Sequence, residues 1–249
     1  MCNNPYMKLL RNASFILNIA ASAKIAPHYR RLIDKAVEAG DQDAERSAIA
    51  EGESEWAKDA VRRFDLHYEV RGRENIPECA CVFVANHQSY FDVMAMMVAL
   101  DGHPASFIAK SEFEKVPLLG PWVVRTRGLF IQRGDARESL KTIQKGVEYL
   151  KDGWSLIIFP EGTRSRGPEM AEFKPGSFKL ATKAKVPVVP ITIDGTYRSF
   201  EEDGAYKSGQ SAVITIHPPI ETAGLSRTEQ AELGDKVWKI VHDALTEKA

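Results

Sequence analysis

The chain has 249 residues, enough for one large α/β domain or a core domain with an appendage. Apolar residues make up 44% and charged residues 27%, the balance of an ordinary globular protein. The 33 basic and 34 acidic residues leave a formal charge of −1, so no global field favours nucleic acid and no nucleic-acid partner is expected. Cys2, Cys79 and Cys81 are too few for a disulfide framework and fit a reducing compartment. Cys79 and Cys81 alternate into a strand and read as small buried hydrophobes. No run approaches the ~20 apolar residues that span a bilayer. Phe15–Ala23 has the look of a short signal-peptide core, but Asn18 interrupts it and a helical pattern continues beyond.

The first sixty-odd residues read as wholly helical. From Leu9 an apolar face runs through Ala13, Ile16, Leu17 and Ala20, with Lys8, Arg11 and Asn18 on the other side. Pro27 breaks or restarts the pattern. Gly40 then separates it from an acidic stretch carrying Asp41, Asp43, Glu45, Glu51, Glu53 and Glu55. Basic residues cluster early, at Lys8, Arg11, Lys24, Arg30 and Arg31. A cationic amphipathic opening of this kind suits an anionic membrane surface. A helical hairpin packed on the main domain explains the pattern equally well. The expected division is residues 1–64, a two-helix extension for membrane association or packing, and residues 65–249, an α/β domain.

After Phe64 strands alternate with helices. Strands are predicted at 66–71, 80–85, 105–109, 128–132, 155–159, 187–193 and 212–217, and helices near 90–100, 111–116, 135–151, 177–185 and 226–247. Gly102, Gly134, Gly153, Pro160 and Gly176 punctuate the joins. This rhythm predicts an α/β fold with a mainly parallel central sheet flanked by helices.

Three predicted strand ends carry reactive side chains, where open α/β sheets present ligands. His87 follows the apolar run Val82–Ala85, and Asp92 stands five residues on, able to orient an imidazole. Ser89 and Asp92 also have the spacing of a helix cap, so both readings stand. Gly128–Arg133 is a strand ending in an arginine suited to bidentate phosphate binding, with Arg125 and Arg127 just before it. Phe159–Arg166 places Glu161, Gly162, Thr163 and Arg164 after a third strand. Lys110 and Lys174 fall near the same edge. Together these residues describe a pocket for an anionic substrate beside one general base. The histidines are scattered, and His87 has no second His or Cys at metal-ligand spacing.

Asn86-His87 with Asp92, Gly128–Arg133, Phe159–Arg164 and Val186–Pro190 follow one another in this order. They resemble the four sequence blocks of the glycerolipid acyltransferase family, whose bacterial members include lysophosphatidate acyltransferases. The likeness covers residues 66–220, and Ala109–Glu112 and Phe173–Gly176 look family-like too. The first sixty residues lie outside it and differ from members that open with a transmembrane segment. The resemblance implies transfer of an acyl chain from an acyl thioester, on acyl-carrier protein or coenzyme A, to the 2-hydroxyl of 1-acylglycerol 3-phosphate. The product would be phosphatidate, in phospholipid synthesis. It implies His87 as general base, held and charge-stabilised by Asp92. Lys110, Arg133 and Arg164 would hold the acceptor phosphate, with Glu161, Gly162 and Thr163 shaping that pocket. Pro187 and Pro190 would support the acyl chain or the structure. No metal or cofactor is implied beyond the thioester cosubstrate. A peripheral or monotopic place on the cytoplasmic face of the cell membrane, reached through the N-terminal helices, completes the expectation. Another lysolipid or an aminoacyl lipid as acceptor stays open, as does a catalytically silent lipid-binding protein.

Overall fold

The computed structural model describes residues 5–132 and 134–247. Helices α1 (Pro5–Ser22), α2 (Ala26–Ala39) and α3 (Gln42–Arg63) lead into strand β1 (Leu66–Arg71). There follow β2 (Val82–Ala85), α4 (Asp92–Ala99), β3 (Ala105–Lys110), α5 (Leu119–Arg125), β4 (Leu129–Ile131) and α6 (Ala136–Lys151). The chain closes with β5 (Ser155–Ile158), α7 (Lys179–Ala184), β6 (Val188–Asp194), β7 (Gln210–Ile216) and α8 (Arg227–Thr246).

The sheet order is β1-β7-β6-β2-β5-β3-β4. All neighbours are parallel except β6 and β7. The continuous apolar runs of β2 and β5 follow from burial on both faces. Phe83, Ala85 and Ile157 pack with Ala95, Met96 and Ala99 of α4. Val82, Val84, Leu156 and Ile158 pack with residues of α6, α7 and α8 on the other side. From β2 the chain crosses by α4 to β3, and from β5 it crosses by α7 to β6. Loops leaving the adjacent strands β2 and β5 therefore depart in opposite directions, which opens a crevice at their carboxyl ends.

Most boundaries fall within two or three residues of expectation, and the departures have local causes. The helix expected near 111–116 is a 310 turn at Ser111–Lys115. Pro117 disfavours a helical conformation in the residue before it, and Val116 is extended. The α-helix begins only at Leu119, with Pro121 in its first turn, where no backbone donor is missed. Cys81 is buried and its thiol is pushed up to about 12 by burial. Cys79 is exposed, contrary to expectation, because β2 starts after it.

The N-terminal extension holds three helices rather than a hairpin. Pro27 restarts the chain in the first turn of α2, and Gly40 ends that helix at φ 67°. Asp41 caps α3 by accepting from Ala44 N. Helix α3 packs on α4, and α2 packs on α3 and α5. Arg127, just before β4, forms two hydrogen bonds with the buried Glu45 of α3, at 2.6 and 2.8 Å. Arg125 pairs with Asp34 of α2 at 2.9 Å. Both arginines thus tie the helices to the sheet domain.

Helix α1 sits with its polar side inward. Arg11 bonds Ala205 O at 3.0 Å and also reaches Tyr206 O, while Asn18 donates to Arg63 O at 3.2 Å. Phe15 inserts an apolar ring, against Phe64, Phe91 and Phe200. Leu9, Leu10, Ile16 and Leu17 point away and are 63–69% exposed. No described helix is long and apolar enough to cross a membrane.

Candidate active site

The residues after β2 fold back on their own side chains. Asp92 is fully buried, and its Oδ2 accepts from His87 Nδ1 at 2.7 Å, Gln88 N at 2.6 Å and Ser89 N at 2.8 Å. One carboxylate therefore satisfies the backbone donors ahead of α4 and orients the imidazole. The cap reading does not hold: α4 begins at Asp92 itself, Phe91 stands at its N-cap without a side-chain bond, and the Ser89 hydroxyl accepts from Phe91 N instead. A carboxylate only accepts, so Nδ1 carries the proton and Nε2 is the nitrogen left for chemistry. The His87 ring lies flat on Phe159 at 4.2 Å, and Phe159 stacks in turn on Phe107 of β3.

The loop after β5 braces this turn. Glu161 is buried, its Oε1 accepting from His87 N at 2.6 Å and its Oε2 from Ala171 N at 2.9 Å. Burial raises its carboxyl above the usual range, and the N–H groups of Ala171 and His87 partly offset this. Ser165 N donates to His87 O at 2.7 Å, which brings Arg164 beside the histidine. Gly162 has φ +69°, and a Cβ there would stand 2.5 Å from Lys174 Nζ. The left-handed backbone favours glycine there, and the Lys174 ammonium packs against it.

The expected cationic residues are placed unequally. Arg164 donates to the buried Glu201 at 2.8 Å and lies 3.4 Å from the centroid of the Tyr90 ring. Lys110 ends β3 and pairs with Glu112 at 2.5 Å. Thr163 is exposed on the turn. Arg133 lies outside the described residues. Pro187 and Pro190 are buried in the sheet at β6. Pro190 O accepts from His217 N at 2.9 Å, at the last rung of the β6–β7 ladder, where the missing proline donor costs one bond.

Five contributors escaped the sequence reading: Gln88, Gly195, Thr196, Glu201 and Tyr90. Gln88 Oε1 accepts from Gly195 N at 2.9 Å, and the Thr196 hydroxyl donates to Asp92 Oδ1. Glu201 and Tyr90 hold Arg164. Gly195-Thr196 follows another strand of the parallel set, so the signal that marked His87 was present there too. Glu201 carries no local signal. Chemically, the arrangement offers an oriented imidazole for taking a proton, with Arg164 and Lys174 close by to bind an anion.

Known proteins share this frame. A chloroplastic 1-acyl-sn-glycerol-3-phosphate acyltransferase of Brassica napus is 35% identical over 170 residues, covering 66% of this chain and 48% of the relative. The chain thus spans about half the length of its chloroplastic relatives (48% and 46%). The 1-acyl-sn-glycerol-3-phosphate acyltransferase of Pseudomonas aeruginosa is 33% identical over 184 residues, covering 73% of this chain and 70% of that one. The crystal structure of the 1-acyl-sn-glycerophosphate (LPA) acyltransferase PlsC from Thermotoga maritima superposes with a TM-score of 0.78 at 26% identity, covering 97% of this chain and 96% of that one. The family model described as Acyltransferase matches residues 67–194, and the chain belongs to that family.

Proposed function

We propose that this protein transfers an acyl chain from an acyl thioester to the 2-hydroxyl of 1-acylglycerol 3-phosphate, giving phosphatidate. The observation that carries the reading is the 2.7 Å contact between His87 Nδ1 and the buried Asp92, beside Arg164 and Lys174. His87 Nε2 takes the proton of the acceptor hydroxyl, and Asp92 stabilises the imidazolium. The acceptor oxygen attacks the thioester carbonyl, the tetrahedral intermediate collapses, and the departing thiolate recovers the proton from His87. A thioester is reactive enough that no enzyme nucleophile is needed. Arg164, Lys110 and Arg133 hold the acceptor phosphate, joined by Lys174. The donor is carried by acyl-carrier protein or coenzyme A, which present the same carbonyl.

Residues 1–64 act as the membrane-contacting segment of a peripheral protein on the cytoplasmic face of the membrane. The outward apolar side of α1, at Leu9, Leu10, Ile16 and Leu17, supports this. The deciding experiment is an acyl-transfer assay on purified protein with lysophosphatidate and an acyl thioester. His87→Ala is expected to lose turnover by about three or more orders of magnitude while still binding the acceptor. Wild-type turnover in that variant overturns the assignment.

A further inference from the structure

The carboxylate that orients His87 has two oxygens, and they are held by different parts of the chain. Oδ2 belongs to the loop after β2, through His87 Nδ1 and the N–H groups of Gln88 and Ser89. Among the described residues, the donor to Oδ1 is the hydroxyl of Thr196, fully buried beyond the end of β6. Its alternative acceptor, Gln88 Oε1, is 3.5 Å away and already takes Gly195 N at 2.9 Å. A hydroxyl has one proton to give, and here it goes to Asp92. Gly195 makes the delivery possible. Its φ is +108°, and a Cβ there would stand 2.8 Å from Ser211 O, so only glycine turns the chain sharply enough to bring Thr196 inward.

We propose that Thr196 is a positioning residue for the reaction, fixing the rotation of the Asp92 carboxylate so that Oδ2 stays in line with His87 Nδ1. It touches neither substrate nor the imidazole; it acts through Asp92. Without that hydroxyl a buried carboxylate oxygen loses its donor, and the carboxylate turns toward whatever donor remains. The inference rests on reading His87 as the base.

The test compares Thr196→Val, close in shape without the hydroxyl, with Thr196→Ser, which keeps it. Steady-state acyl transfer, thermal unfolding and the imidazole Nδ1–H proton resonance are measured for each. Thr196→Val is expected to lower kcat by about tenfold to a hundredfold, leave the acceptor KM within about twofold, and displace the Nδ1–H resonance. Thr196→Ser is expected to restore both kcat and resonance. If Thr196→Val does not fold, Thr196→Ala takes its place. Wild-type kcat and resonance in the hydroxyl-free variant overturn the role of Thr196, as does an equal loss in Thr196→Ser. His87→Ala runs alongside: if it is inactive, such a failure concerns Thr196 alone, whereas an active His87→Ala removes the base itself.

Discussion

Glu161 Oε1 lies 2.6 Å from His87 N, and Oε2 of the same carboxylate lies 2.9 Å from Ala171 N. One buried side chain therefore fastens the histidine turn to the start and the middle of the connection between β5 and α7. Replacing it with alanine leaves the N–H of the half-buried His87 without its acceptor and releases that of the exposed Ala171. Glu161→Ala is expected to cost about 1–3 kcal/mol of stability, the order for one donor left unsatisfied, and to lower kcat even where the protein stays folded. Denaturant melts and turnover on the same preparation check both, and a fully stable, fully active variant would contradict the brace.

Asp92→Asn separates orientation from charge. The amide oxygen can take the place of Oδ2, with its three donors, while the amide nitrogen faces Thr196, whose hydroxyl can accept. The fold is expected to survive, but the imidazolium loses its counter-charge. A fall in kcat of about 10³–10⁴ with an unchanged unfolding transition is the expected pattern in paired rate and melting measurements.

Arg164 is held between Glu201 at 2.8 Å and the face of Tyr90. Glu201→Ala frees it to rotate out of the site. The acceptor KM is expected to rise by about tenfold, with a smaller change in kcat, because the loss concerns binding rather than proton transfer. Kinetics at varied lysophosphatidate decide this, and a pure kcat defect would count against the arginine as a phosphate ligand.

Glu53 of α3 is buried, and burial pushes its carboxyl up to about 8 from 4.5, against the lowering effect of the Ala105 backbone. The folded state therefore keeps a proton that the unfolded chain releases. Stability falls as pH rises from 4.5 toward 8 and levels off above that. Glu53→Gln removes this penalty. Urea titrations are expected to find the variant more stable than the parent at pH above 8, by the order of a few kcal/mol, and little changed near the low end. A constant difference across that range rules out the titration.

Much of this architecture was legible because burial on both faces of β2 and β5 leaves unbroken apolar runs that flanking glycines and prolines delimit. His87 and Asp92 were legible because they are five residues apart. Their ambiguity disappeared only with coordinates, since the Ser89–Asp92 spacing also suits a helix cap, and only the start of α4 at Asp92 shows that the carboxylate serves His87 and the turn before the helix. What stayed hidden depends on distance along the chain. Glu45 and Arg127 are 82 residues apart, and Asp92 and Thr196 are 104 apart. No periodicity links such pairs. The start of α5 was hidden differently: a proline is excluded from a helix interior, yet Pro121 sits in a first turn that tolerates it.

Leu9, Leu10, Ile16 and Leu17 are already turned outward while Arg11, Asn12 and Asn18 grip the body of the protein. Substituting serine at those four apolar positions is expected to abolish sedimentation with anionic liposomes and leave turnover on detergent-dispersed acceptor intact; undiminished sedimentation would point to another surface. Under the proposed membrane role, landing on a bilayer would need no helix to be released and no buried contact to be broken. On that proposed role the cost falls elsewhere: these four side chains are exposed, so the protein's solubility away from lipid is the quantity that α1 would give up for a ready-made landing surface.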